Sequence, residues 1–186
     1  MEVNEILGNA KEQMEKSLDA SKSRMEKIRT GRASAALVDS VRVDYYGTMS
    51  PLSQVAGVSV PDAGTIVIQP WDATTLPLIE KAIQQADLGF NPQNDGNIIR
   101  IHVPPLTEDR RIEFVKMTKK LAEEGKVGVR NVRRDMMDAI KKSEKDKDIS
   151  EDEKKRGEDE IQKITNDYIK KIDDILNAKE KELMDD

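Results

Sequence analysis

The sequence predicts an α+β fold: a long three-helix bundle with a small α/β domain (β/α/β, sandwich-like) inserted into it. Three observations carry that prediction. Apolar residues recur at helical spacing over three long stretches, charge thins out and turn residues appear between residues 31 and 105, and one helical stretch precedes this segment while two follow it. Charged residues make up 36% of the 186 and aromatics only 3%, a balance suited to solvated helices around aliphatic cores.

In the first stretch Val3, Leu7, Ala10, Met14, Leu18, Ser21, Met25 and Ile28 follow one another at spacings of three or four. They predict one helix about 40 Å long at ~1.5 Å per residue. So narrow a seam is not stable alone in water and needs partner helices. Gly31, within Arg29-Thr30-Gly31-Arg32, is placed to end the helix in a left-handed conformation.

The segment 31–105 holds four basic groups (Arg32, Arg42, Lys81, Arg100) against seven acidic ones. Val41, Val43 and Tyr45 alternate, Val58 and Val60 precede Pro61, and Ile66-Val67-Ile68 follow Gly64, which reads as short strands. Tyr45 and Tyr46 then place one ring on each face of a strand, and Trp71 reads as a lid over the small domain's core. Leu76 to Ala86 has the spacing of a short helix, and Asn94-Asp95-Gly96 marks a turn before a last strand, Ile98 to Val103, which stops at Pro104-Pro105.

Beyond Leu106 the helical pattern returns. Thr107 is a candidate cap with Glu108 and Asp109 behind it, and Ile112, Val115, Ala122, Gly125, Val129, Val132, Met136 and Ile140 continue a stripe. Gly125 lies on that stripe and implies close approach of another helix; Gly128 lies off its centre. A charged turn, Lys145 to Asp148, and a capping box at Ser150 to Glu153 lead into a third helix marked by Ile161, Ile164, Tyr168, Ile172, Ile175 and Leu183, with Lys179 interrupting the seam. Three such helices bury one another's seams as a bundle. The expected domains are therefore 1–30 with 106–186, and 31–105. The two short crossings between them, with Thr30, Gly31, Pro104, Pro105 and Leu106, form a hinge.

Chemistry is scarce. The absence of cysteine excludes disulfides and thiolate sites, and His102, the only histidine, falls in a strand where a structural or surface role is expected. With no glycine-rich phosphate loop, serine elbow or zinc spacing, neither an enzyme nor a cofactor is expected. No apolar run approaches the ~20 residues of a membrane span, and the N-terminal stretch is charged, which points to a cytoplasmic protein.

The strongest functional signal is basic. With Val129 at zero degrees, Lys126, Arg130, Arg133, Arg134 and Lys141 fall between roughly 40° and 140° around the helix, while Asp135 and Asp138 fall opposite. The chain as a whole carries a net charge of -5, so this flank is a local concentration. Surface ion pairing in a helical scaffold that binds only proteins is one explanation; phosphate contact by the planar guanidinium fork is the other. The residues alone leave these evenly matched.

The motifs Lys27-Ile28-Arg29-Thr30-Gly31-Arg32-Ala33-Ser34, Tyr45-Tyr46-Gly47, Leu88-Gly89, Pro104-Pro105-Leu106-Thr107-Glu108, Arg110-Arg111, Val129-Arg130-Asn131-Val132-Arg133-Arg134-Asp135 and Ile149-Ser150-Glu151-Asp152 run in order through nearly the whole chain. In these the sequence resembles the bacterial ribosome recycling factors. The resemblance implies an L-shaped monomer of roughly transfer-RNA dimensions that binds the post-termination ribosome off the membrane. Its bundle would lie against ribosomal RNA near the A and P sites of the large subunit. With elongation factor G and that partner's GTP hydrolysis it would separate the subunits and free messenger and deacylated transfer RNA. Carried over onto this sequence, the rRNA-binding residues are Arg111, Arg130 and Arg133, with Arg134, Arg29 and Arg32 as secondary candidates. For Arg111 the resemblance is the only support, since 19 residues rotate it by ~100° from Arg130.

Overall fold

A computed structural model of the chain describes residues 1–185. In chain order it contains helix α1 (Val3–Glu26), a 3-10 turn (Ala35–Val38), strands β1 (Arg42–Tyr45) and β2 (Thr48–Pro51), and a helical turn α2 (Leu52–Val55). There follow β3 (Ala56–Asp62), β4 (Thr65–Pro70), α3 (Leu76–Gln85), β5 (Pro92–Asn94) and β6 (Ile99–His102). Two long helices close the chain, α4 (Glu108–Lys145) and α5 (Glu151–Met184). The fold is α+β and divides into two compact units, Met1–Thr30 with Thr107–Asp186, and Gly31–Leu106. No helix among the described residues is long and apolar enough to cross a membrane.

In the first unit α1, α4 and α5 pack as a three-helix bundle. Its middle is filled by Met14, Leu18, Met25, Ala122, Val129, Val132, Ile164, Tyr168 and Ile172, and a second cluster joins Val3, Ile6, Ile140, Ile149 and Ile161. Local chemistry fixes the helix starts. The Thr107 hydroxyl accepts the Arg110 amide at 3.2 Å, and at α5 the Glu153 amide donates to Ser150 Oγ at 3.1 Å while the Glu153 carboxylate accepts the Ser150 amide. Gly125 is required by contact, since a Cβ there would overlap the Ser21 side chain of α1. Gly157 of α5, which the apolar pattern does not flag, plays the same part: its Cβ would lie 2.7 Å from Ile140 Cδ1 and 3.2 Å from Val3 Cγ1. Gly128 is different, because its Cβ would meet Ser17 at 3.4 Å, ordinary contact.

Several expectations for the bundle are corrected. Helix α1 stops at Glu26, with Lys27 as its cap, and Gly31 is not its terminator. Gly31 is left-handed (φ +83°), and a Cβ there would also sit 3.0 Å from Leu106 Cγ and 3.1 Å from the Leu106 amide nitrogen, so both backbone conformation and space call for glycine. Ile6 is fully buried where Leu7 is only half-buried, because a helix facing two partners needs a broader stripe than one seam supplies. Ile112 is exposed, since it lies ~100° around α4 from Val129. The buried position at that end is Thr118, whose hydroxyl donates to the Phe114 carbonyl at 2.8 Å and so enters the core satisfied. Lys179 is only 9% exposed on the α5 seam; burial lowers its pKa, against the opposing effect of the Glu182 and Glu26 carboxylates.

The second unit is a four-stranded antiparallel sheet, order β3-β4-β6-β5, with a β1-β2 hairpin beside it. Ile66 and Ile68 of β4 and Ile99 and Ile101 of β6 bury one face under Ile79 and Ile83 of α3, together with Val41, Val43 and Leu52. Pro61 is tolerated because β3 is an edge strand and its register is irregular between Ser59 and Asp62. Strand β2 escapes the alternation test, as Met49 is exposed and Pro51 ends it. Tyr46 is not a strand residue with an inward or outward ring. It forms the two-residue hairpin turn with Gly47 (φ +51° and +85°) and is 73% exposed. Trp71 is likewise no lid: it is 71% exposed, and its ring tip lies over Gly57 rather than the core.

Candidate nucleic-acid interface

Helix α4 is 38 residues long without interruption, about 57 Å at 1.5 Å per residue, and its buried stripe turns the Arg130 flank to the outside of the bundle. Arg130, Arg133 and Arg134 line one shallow depression with Asn131 and Val127. Their polar contacts differ in kind. Arg130 Nη1 meets the Glu123 carboxylate at 3.1 Å, an ion pair in which both side chains are about half exposed. Arg133 is half-buried, and its Nη1 donates to Gln162 Oε1 of α5 at 3.5 Å. Arg134 Nη2 donates to Asn131 Oδ1 at 2.5 Å, an i, i+3 pair along the same helix. Arg133 and Arg134 therefore rest on neutral amides, which orient a guanidinium without cancelling its charge.

The other members of the predicted flank go elsewhere. Lys126 is drawn in between α4 and α5 by an ion pair with Asp173, its side chain 17% exposed, so it does not add to the outer face. Lys141 is exposed further along α4. Arg111 stands 19 positions before Arg130, about 28 Å along the axis, and its Nη1 donates to the Met184 carbonyl at 3.4 Å, where it caps the end of α5. Arg29 is half-buried beyond α1 in the bundle unit, and Arg32 is exposed in the sheet unit. Of the six arginines singled out, three share a surface and three are placed separately.

Thr30 closes the first segment of the bundle unit. Gly31, Pro104, Pro105 and Leu106 belong to the sheet unit, where the two prolines are exposed and Leu106 packs against Gly31. His102 is exposed on β6 opposite Thr65. Gln162 is the contact that sequence reasoning missed, since it depends on the register of α5 against α4. The Asn131 contact was missed as well, although its signal was in the sequence, because Asn three residues before Arg on a helix surface is a pairing distance.

The model of the ribosome recycling factor family matches residues 21–184. The ribosome-recycling factor of Nitratidesulfovibrio vulgaris (strain DP4) is 54% identical over the full length of both chains. That of Oleidesulfovibrio alaskensis is 56% identical over 97% of this chain and 98% of the relative. Among solved structures, the solution structure of a ribosome recycling factor superposes with a TM-score of 0.79 at 45% identity, covering 100% of this chain and 99% of the other. A second, from models of the T. thermophilus ribosome recycling factor and the E. coli elongation factor G bound to the E. coli post-termination complex, gives a TM-score of 0.65 at 45% identity over 99% of this chain and all of the other. Sequence and fold agree over essentially the whole chain, which belongs to the ribosome recycling factor family.

Proposed function

We propose that the chain recycles ribosomes after termination. It binds the post-termination ribosome and, with elongation factor G and GTP hydrolysis by that partner, promotes separation of the subunits and release of messenger and deacylated transfer RNA. Support comes from membership of the family and from the related factor whose structure is described with elongation factor G on a post-termination complex.

The observation that carries the molecular reading is the pair Arg133 and Arg134, bound to Gln162 and Asn131 with no carboxylate within ion-pair distance among the described residues. Two positive charges held on a rigid helix in a chain of net charge -5 suit the phosphate backbone of folded RNA, recognised by shape. Arg130 completes this face when its exposed pair with Glu123 gives way; such a pair is worth only about 0.2–1 kcal/mol. Arg111, Arg29 and Arg32 are outlying rRNA contacts. The crossings at Thr30-Gly31 and Pro104-Pro105-Leu106 act as a hinge, with Gly31 the position that tolerates no side chain. The chain itself contributes binding and leverage, no bond-breaking chemistry, and works as a monomer in the cytoplasm.

The test is subunit splitting. Purified post-termination ribosomes should dissociate, with a fall in light scattering, only when the chain, elongation factor G and GTP are all present. Equal splitting without the chain would remove the proposal. Association with ribosomes that survives RNase and high salt would favour a protein-binding scaffold instead.

A further inference from the structure

The chain has one Trp, three Tyr and two Phe, and the two most exposed of these rings, Tyr46 and Trp71, both belong to the sheet unit. Trp71 follows β4. Its amide donates to the Val55 carbonyl at 3.1 Å and its Cη2 lies so close over β3 that a Cβ on Gly57 would be 3.2 Å away. The indole is thus pressed onto backbone on one side and open on the other. Tyr46 sits in the β1-β2 turn with its ring edge-on to Tyr45, centroids 4.6 Å apart at 72°. Tyr45 and Trp71 wall a cleft of about 220 Å³ that also exposes Gln54 and Asp72.

Asp72 Oδ1 accepts the Thr74 amide at 3.0 Å and the Thr74 hydroxyl at 2.7 Å. These bonds hold its carboxyl below the usual carboxylate range, with a smaller contribution from the Tyr46 hydroxyl. A fixed carboxylate therefore stands beside aromatic faces, whose quadrupoles also attract positive charge. Tyr45 also packs against the aliphatic core of its unit, whereas Trp71 and Asp72 belong neither to that core nor to the arginine face of α4.

We propose that the cleft between Tyr45 and Trp71, with Asp72 in its lining, receives a basic side chain, a guanidinium stacked on the aromatic faces and paired with the carboxylate, presented by a protein partner. Exposed rings also stack nucleobases, but that use requires a basic groove to carry the backbone. This unit has seven acidic groups against four basic ones, which repels phosphate and attracts a cationic protein surface. The inference does not rest on the arginine face, and either can fail without the other.

Because Trp71 is the only tryptophan, its fluorescence in the full-length chain reports on the cleft directly. The probe is a blocked peptide, acetyl-Gly-Arg-Gly-amide, titrated at low salt beside its citrulline counterpart, which keeps the shape and loses the charge. The arginine peptide should give a saturable change that the citrulline peptide reproduces only several-fold more weakly. Asp72→Asn, which keeps the oxygen that caps the turn at Thr74, should weaken arginine binding by about fivefold. Equal responses to the two peptides, or no saturable response, would overturn the proposal, and this comparison requires no variant. Tighter quenching by an oligouridine than by the arginine peptide would overturn it too, making the cleft a base-stacking platform.

Discussion

The bundle and the sheet unit resolve the same problem of burial in opposite ways, and they leave opposite surfaces behind. The bundle repeats one seam three times, so its core is long and thin and its charged faces are extensive, with basic groups gathered on α4. The sheet unit folds a short, charge-poor segment around one concentrated aliphatic core and leaves an acidic surface with two bare rings. Partner choice follows from this division. A straight helix can hold several cations at fixed spacing against a phosphate array, whereas a hairpin turn beside a strand end can hold rings and a carboxylate around a single side chain.

The largest test of the division is core truncation. Ile68→Ala should cost about 3 kcal/mol by leaving a cavity in the sheet unit, and hydrogen exchange should show β4 and β6 losing protection while the bundle helices keep theirs. Equal loss in both would mean that the units unfold as one. In the bundle the sensitive positions are the close approaches: Gly125→Ala should lower stability by about 2 kcal/mol in urea denaturation, because its methyl group displaces Ser21 of α1.

A third test uses pH. Burial, then the hydrogen bond to Glu15, push the Tyr168 phenol up to about 12, against about 10 in the unfolded chain. The folded state thus keeps a proton that the unfolded state releases, and stability is lost as pH rises from about 10 to 12, by roughly 1–2 kcal/mol. Tyr168→Phe should flatten that limb. Lys179 works in the other direction: its lowered pKa means that the folded chain sheds the proton first, so its penalty is relieved as pH rises toward 10.5. The smallest expected effect is a gain. Gly128→Ala should stabilise the bundle by about 0.5–1 kcal/mol, since the new methyl group meets Ser17 at ordinary distance while the helix gains in propensity; a loss would mean that Ser17 cannot yield.

The bundle was largely legible because helical burial is periodic. Val3, Met14, Val129, Ile140, Ile161 and Ile172 lie where spacing puts them, and the Thr107 and Ser150 caps are short-range signals. Legibility failed where a third dimension decides: Ile6 against Leu7, Thr118 on the seam, and Gly157, whose need for no side chain comes from Ile140 and Val3 far away in sequence. In the sheet unit β4, α3 and β6 were readable from aliphatic runs, but Tyr46 and Trp71 were not, because a turn at Gly47 and a resting place on Gly57 are set by pairing across the sheet. The basic site was half legible. Helical angles gathered Arg130, Arg133 and Arg134, and could not show that Lys126 is claimed by Asp173 of another helix.

The central claim is that this arginine face holds the chain to ribosomal RNA, and sedimentation with isolated large subunits tests it most directly. The parent chain should pellet with the subunits at low salt and be released as salt rises. Arg133→Ala combined with Arg134→Ala should bind about tenfold more weakly with a shallower salt dependence and an unchanged helix melting transition. Binding of the double variant that matches the parent at every salt concentration would contradict the account and return the arginines to a structural role.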